Sequence, residues 1–175
     1  MNCTCRIGSF EYEFTTGQVW DLSIGLRFNG EQPNAYGIGP ATSTAYSNDN
    51  FVADTRQGGA CNVALLSMVP HANGTHTECI GHLTDQPVSI NKVFQPGLKT
   101  AILITVEPRS ISDTSDTYSL LDATDKLICL NDLEEAINKI EIDSFEAIII
   151  RTIPNGVRKK HRSYQKDPAA FCSTE

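Results

Sequence analysis

A strand-rich α+β fold (mixed α/β, with at least one helix at about residues 131–140) is predicted by three features of the sequence. Aliphatic and β-branched runs recur at Val19–Leu26, Gly97–Val106 and Phe145–Thr152. A segment opening at Asn131 carries apolar residues at helical spacing behind a capping residue. Stretches dense in Gly, Pro, Asn and Ser separate these segments, with no internal repeat and no linker, so a single domain over 1–175 is expected.

In chain order, residues 3–15 alternate apolar and polar around Gly8-Ser9, which predicts a small hairpin. Trp20, Leu22, Ile24 and Leu26 fall at a period of two and predict a strand with one buried face. Residues 28–50 read as a long loop broken by a short strand near Ala41–Tyr46, and a loop of that length often carries function. The run C-N-V-A-L-L-S-M-V predicts a buried strand that ends at Pro70. Residues 87–94 carry little pattern. Gly97–Val106, ending before Pro108, predicts a strand, and the Ser-, Asp- and Thr-rich residues 109–118 predict a loop. Asn131 is placed to cap a helix, with Glu134 three residues on as in a capping box, and Leu133, Ile137 and Ile140 share one face. Phe145–Thr152 predicts another buried strand, Pro154-Asn155-Gly156 a turn, and Asp167-Pro168 the start of a terminal helix.

Composition narrows the function classes. With 40% hydrophobic and 20% charged residues the chain can bury a core. A net charge of -7 and a pI of about 5.0, with no basic stripe, argue against nucleic acid and against an anionic membrane. The one basic run, Arg158–Arg162, reads as a solvated loop. No apolar run approaches the ~18 residues of a membrane-spanning helix. The N-terminal residues lack the basic and apolar regions of a secretory signal. Six cysteines form no C-x-x-C pair and no regular framework, so reduced thiols and a cytoplasmic location are expected.

The chemistry concentrates in Pro70–His82, P-H-A-N-G-T-H-T-E-C-I-G-H, which holds three of the four histidines. His76 and Glu78 are two apart and share a face in extended backbone. His82, four residues further, falls on that face in a strand or after one helical turn. His71 and His76 are five apart and converge only if the alternation breaks. Asn73-Gly74 can break it, because both residue types tolerate positive φ. Imidazoles with a carboxylate make a catalytic site for a divalent ion, zinc ahead of manganese or iron. A structural zinc site would draw on more thiolates, and Cys79 points away from Glu78 in extended backbone. Two other readings stand beside this one: a solvated Asn-Gly turn with surface histidines, and Cys79 as a nucleophile with His76 or His82 as its base. Nothing in the sequence marks that thiol as activated. There is no G-x-S-x-G elbow, P-loop or G-x-G-x-x-G.

The stretch resembles the signature of the cyclase family of metal-dependent hydrolases, the kynurenine formamidase-like proteins, whose pattern is approximately H-x-G-T-H-x-D-x-P-x-H. Gly74, Thr75, His76 and His82 match in register. One residue is inserted between His71 and Gly74, and Glu78 stands for the family aspartate. W-D-L-S-I-G-L is similar to the family's opening strand. N-D-L-E-E-A-I and E-A-I-I-I-R-T are similar to its helix and to a strand ending in Arg-Thr, all in the family's order.

The resemblance implies a swivelling β/β/α domain. It implies His71, His76 and Glu78 as metal ligands, His82 as proton donor and acceptor, and Tyr36 as a wall of the substrate pocket. It implies a small-molecule substrate, an N-formyl aromatic amine or a cyclic amide or lactone, and a homo-oligomer, dimer or tetramer. In such a site the ion lowers the pKa of water from ~15.7 towards ~7, hydroxide attacks the carbonyl, and His82 protonates the leaving nitrogen. Family members run on beyond the point equivalent to Glu175, so an incomplete copy of a longer domain is expected. The alternative function is a truncated, non-catalytic member that binds a metal or ligand as an interaction protein.

Overall fold

The computed structural model describes residues 1–119, 122–141, 145–165 and 168–174. In its first half the strands are β1 (Asn2–Ile7), β2 (Phe10–Thr15), β3 (Thr42–Ala45), β4 (Ser47–Asn48), β5 (Phe51–Val52) and β6 (Ala64–Ser67), followed by α1 (Pro70–Asn73) and α2 (Ile90–Val93). Then come β7 (Ala101–Val106), β8 (Arg109–Ser110), β9 (Lys126–Ile128), α3 (Leu130–Asn138), β10 (Ala147–Thr152) and β11 (Phe171–Cys172). The fold class is therefore the strand-rich α+β one read from the sequence. The chain forms two compact units: Met1–Leu22, Glu78–Asn155 and Ala169–Glu175 make one, Ser23–Thr77 and Gly156–Pro168 the other.

In the first unit β1 and β2 pair antiparallel as the expected hairpin, with Gly8 supplying a φ of 60° at its turn. β7 pairs in parallel with β10, from Ala101 beside Ala147 to Val106 beside Thr152. β7 alternates cleanly: Ile102, Ile104 and Val106 are buried while Leu103 stays exposed, and α3 packs against the strand. β9 runs between β8 and β11 and buries Leu127 and Ile128, with Cys129 beside them. β10 corrects an expectation. Its run Ile148-Ile149-Ile150 is 38–44% exposed rather than buried. β10 is the edge of a two-stranded sheet, so its continuous apolar run is not covered on both faces as in a larger parallel sheet.

The helix at 130–138 is where expected, but its cap is not. Asn131 lies inside the first turn, Cys129 is the N-cap residue, and no side chain of its own closes the end. A distant carboxylate does so: Asp116 Oδ2 accepts the Leu130 N–H at 2.9 Å. That bond leads the interactions, with the Ser173 side chain next, that hold the Asp116 carboxyl below its ordinary value. The Ile153–Pro154 peptide is cis where the turn was expected. Of the terminal helix, Asp167 lies outside the described residues; Pro168 onward is not helical and leads into β11.

In the second unit β3 pairs antiparallel with β6, and β4 with β5. The short strand within the long loop is therefore real. β6 is not buried: Leu65 and Leu66 are both more than half exposed, because its sheet has two strands only. The strand expected at Val19–Leu26 does not form. Alternation supplies a face, but a strand also needs a ladder partner; here Ile24 N–H is taken instead by Thr75 Oγ1 at 2.9 Å. Side-chain amides hold the 28–43 loop. Buried Gln32 donates to Arg27 O and Ala41 O and accepts from Ala41 N–H at 2.7 Å. Asn29 pairs through both amide atoms with the Ser43 backbone. Among the described residues no helix is long and apolar enough to cross a membrane, and the six cysteines are unbridged.

Asp54 caps the turn Thr55–Gln57, which otherwise leaves its first N–H groups unpaired. Its carboxylate accepts from the Arg56 guanidinium at 2.9 and 3.0 Å, from the Gln57 amide and from Arg56 N–H. The Arg56 side chain, then the Gln57 amide, pull its pKa far below the ordinary 3.8. A depressed acid stabilises the fold fully above its unfolded pKa and loses that contribution as pH falls towards the folded value. Asp54→Asn is therefore expected to lower the Tm near pH 7, with the gap to wild type narrowing below about pH 4. Thermal melts followed by circular dichroism across that range check it.

Candidate metal centre

Short elements aim the motif side chains. Pro70 opens α1, its fixed φ suiting the first helical position. Four residues are too few for a helix to hold itself. Asn73, 1% exposed, closes the turn: its Oδ1 accepts Val69 N–H at 2.9 Å and its Nδ2 donates to Gly39 O at 3.1 Å. The same bonds tie α1 to the loop that carries Tyr36. Gly74 then runs extended, with φ -153° and ψ 165°. The break in alternation thus comes from one helical turn, not from the positive φ anticipated at Asn73-Gly74. An added Cβ on Gly74 would meet only Met68 Cε, at 3.9 Å, so neither backbone nor space demands glycine there.

That turn brings His71 and His76 together, His71 Nδ1 lying 3.1 Å from His76 Nε2. His76 Nδ1 lies 3.0 Å from Gly74 O. A carbonyl only accepts, so the neutral ring carries its proton on Nδ1 and turns the Nε2 lone pair towards His71. A metal-bound histidine is oriented in this way, its second nitrogen donating to a carbonyl. Two nitrogens on one tetrahedral ion at ~2.0–2.1 Å stand roughly 3.4 Å apart, close to the spacing found. Tyr36 stacks on the His71 ring, centroids 5.7 Å apart and planes 17° from parallel. Its backbone φ of 56° is a left-handed value uncommon for a bulky residue, and strain of this kind gathers at functional sites.

Glu78 and His82 form a second pair. His82 ends the turn Ile80–His82 and its Nδ1 lies 4.0 Å from Glu78 Oε2, both side chains about half exposed. This is too long for a hydrogen bond, but a carboxylate and an imidazole so placed could share a divalent ion. The turn is seated on Val88, whose carbonyl accepts from Cys79 Sγ at 3.4 Å. The Cys79 thiol is thus engaged by a backbone carbonyl. Gly81 has no room for a side chain: a Cβ there would collide with Val88 O and with the Val88 side chain. His161 Nδ1 lies 3.9 Å from Glu31 Oε2.

Asn73, Thr75 and Gly81 are the positioning residues that spacing did not reveal. Asn73 read as a turn former and works as a buried bridge. Thr75 belongs to the motif, but its bond to Ile24 crosses 51 positions of sequence. For Gly81 a signal existed, a glycine directly before a motif histidine.

A family model described as putative cyclase matches residues 18–173. No curated protein and no solved structure matches the chain.

Two substitutions test this construction. Asn73→Ala leaves Val69 N–H and Gly39 O unpaired and is expected to cost about 2–3 kcal/mol in urea denaturation. Gly81→Ala is expected to cost about 1–3 kcal/mol by overpacking against Val88. Gly17→Ala, where an added Cβ meets nothing, is the matching control.

Proposed function

The chain belongs to the putative cyclase family, and on that footing we propose that it is a metal-dependent hydrolase of a C–N amide bond. The substrate is a small molecule, an N-formyl aromatic amine or a cyclic amide or lactone. The observation that carries this reading is the His71–His76 pair, held with the second nitrogen of His76 on Gly74 O. In this reading His71, His76 and Glu78 hold the divalent ion, for which zinc suits nitrogen and carboxylate donors, with manganese or iron as substitutes. When bound, such an ion acidifies water and polarises a carbonyl oxygen.

The chain's own residues supply the rest. His82 carries the proton, delivering it to the leaving nitrogen, because an imidazole both gives and takes a proton near neutrality. Glu78 Oε2 lies 4.0 Å from His82 Nδ1, so the proton carrier stands beside the acid of the donor set. Tyr36 presents an aromatic face beside His71 and lines the place of a flat substrate. Six unbridged cysteines support a reducing compartment, the cytoplasm. The exposed run Ile148–Ile150 supports a homo-oligomer in which a second copy covers it.

Metal analysis of the purified protein, joined to an assay on an N-formyl aromatic amine, tests the proposal. Wild type is expected to carry a divalent ion and to lose turnover to a chelator. His76→Ala is expected to lower metal content and to reduce kcat/KM at least ~100-fold. Metal-free protein with chelator-insensitive turnover overturns the reading.

A further inference from the structure

A cavity of about 320 Å3 lies in the first unit, and none of its lining residues belongs to the histidine motif. One wall is the hairpin, through Ile7, Tyr12 and Phe14. The other is the approach to and start of β7, through Leu98, Thr100 and Ile102. The hairpin precedes residue 18, where the family match begins, so half of this pocket comes from outside the matched stretch.

Its chemistry is uneven. The lining is mostly apolar and aromatic, and the volume is at the lower end of small-molecule sites. Within it Thr100 keeps its hydroxyl oxygen closed to solvent and without a hydrogen-bond partner among the described residues. A buried hydroxyl left unpaired is costly. Rotation about χ1 exchanges hydroxyl and methyl, so the group can turn to meet a ligand. The charged lining residues do not invite an anion: the Lys99 ammonium is held by Glu146 at 3.1 Å, and Glu13 is itself acidic.

We propose that this pocket binds one small, uncharged aromatic molecule bearing a single hydroxyl or carbonyl group, which pairs with Thr100. The rings of Tyr12 and Phe14 favour a flat partner, and the unsatisfied hydroxyl selects for one polar atom. The site is independent of the hydrolase reading.

Titration of the whole chain with 2-naphthol and with naphthalene, followed by amide NMR, tests it. Saturable binding of both is expected, with shifts gathered at residues 5–14 and 98–102. Thr100→Val, nearly isosteric, is expected to weaken 2-naphthol about fivefold and to leave naphthalene unchanged. Ile7→Trp, filling the cavity, is expected to abolish both. Should that variant not fold by circular dichroism, Thr100→Val and the shift map still decide. His76→Ala is expected to leave binding unchanged, which separates this site from the metal motif. Absence of saturation, shifts gathered at the motif, or an equal effect of Thr100→Val on both probes overturns the proposal. So does a concentration-dependent dimer that covers the hairpin face and admits neither probe.

Discussion

The buried carboxamide of Asn73 is the constraint from which the local architecture of the histidine stretch follows. A four-residue helix pays its nucleation cost without the bonds that normally repay it. Asn73 offsets this by accepting from Val69 N–H, which closes the turn, and by donating to Gly39 O, which ties the turn to the Tyr36 loop. With the turn closed, His71 stands against Tyr36 on one side and His76 on the other. A residue that cannot bond in both directions would leave one of these contacts to chance.

The same device recurs through the chain. Gln32 and Asn29 act as portable pieces of backbone, pairing with Ala41 and Ser43 where a strand would otherwise have to run. Asp54 closes a turn, and Asp116 closes the end of α3 from fourteen positions away. Short elements and two-stranded sheets leave many backbone groups at element ends, and polar side chains take them up. The apolar counterpart is a small core, in which β7 buries one face and β9 buries Leu127 and Ile128, while β6 and β10 keep much of their aliphatic surface exposed.

The candidate metal centre is built from two short turns. His71 and His76 are brought within hydrogen-bonding distance by one helical turn, and Glu78 approaches His82 across another. Both turns are held by groups outside the candidate donors: Asn73 for the first, and Val88 with its neighbour Gly81 for the second. The chain belongs to the putative cyclase family, and the metal-dependent reaction proposed for it draws on the donors of this stretch. The chain's departures, an inserted residue before Gly74 and a glutamate at 78, fall in the same short stretch.

The sequence by itself determined the strand-rich α+β class, the hairpin at 2–15, the strand at 101–106, the helix after Cys129 and the stretch where the histidines gather. These are local properties, set by side-chain periodicity and turn chemistry between near neighbours. It misled at Val19–Leu26, where alternation was present but no ladder partner was, and at Asn131, where a good capping residue was outcompeted by Asp116. It also overstated burial for β6 and β10, because an apolar run records what a strand can bury and not whether a layer covers it. Only the tertiary structure decided how His71 reaches His76, that Tyr36 stacks on the first of them, and that Gly81 has no room for a Cβ. Each of those depends on a bond or contact made by residues outside the pair, and spacing along the chain carries no record of it.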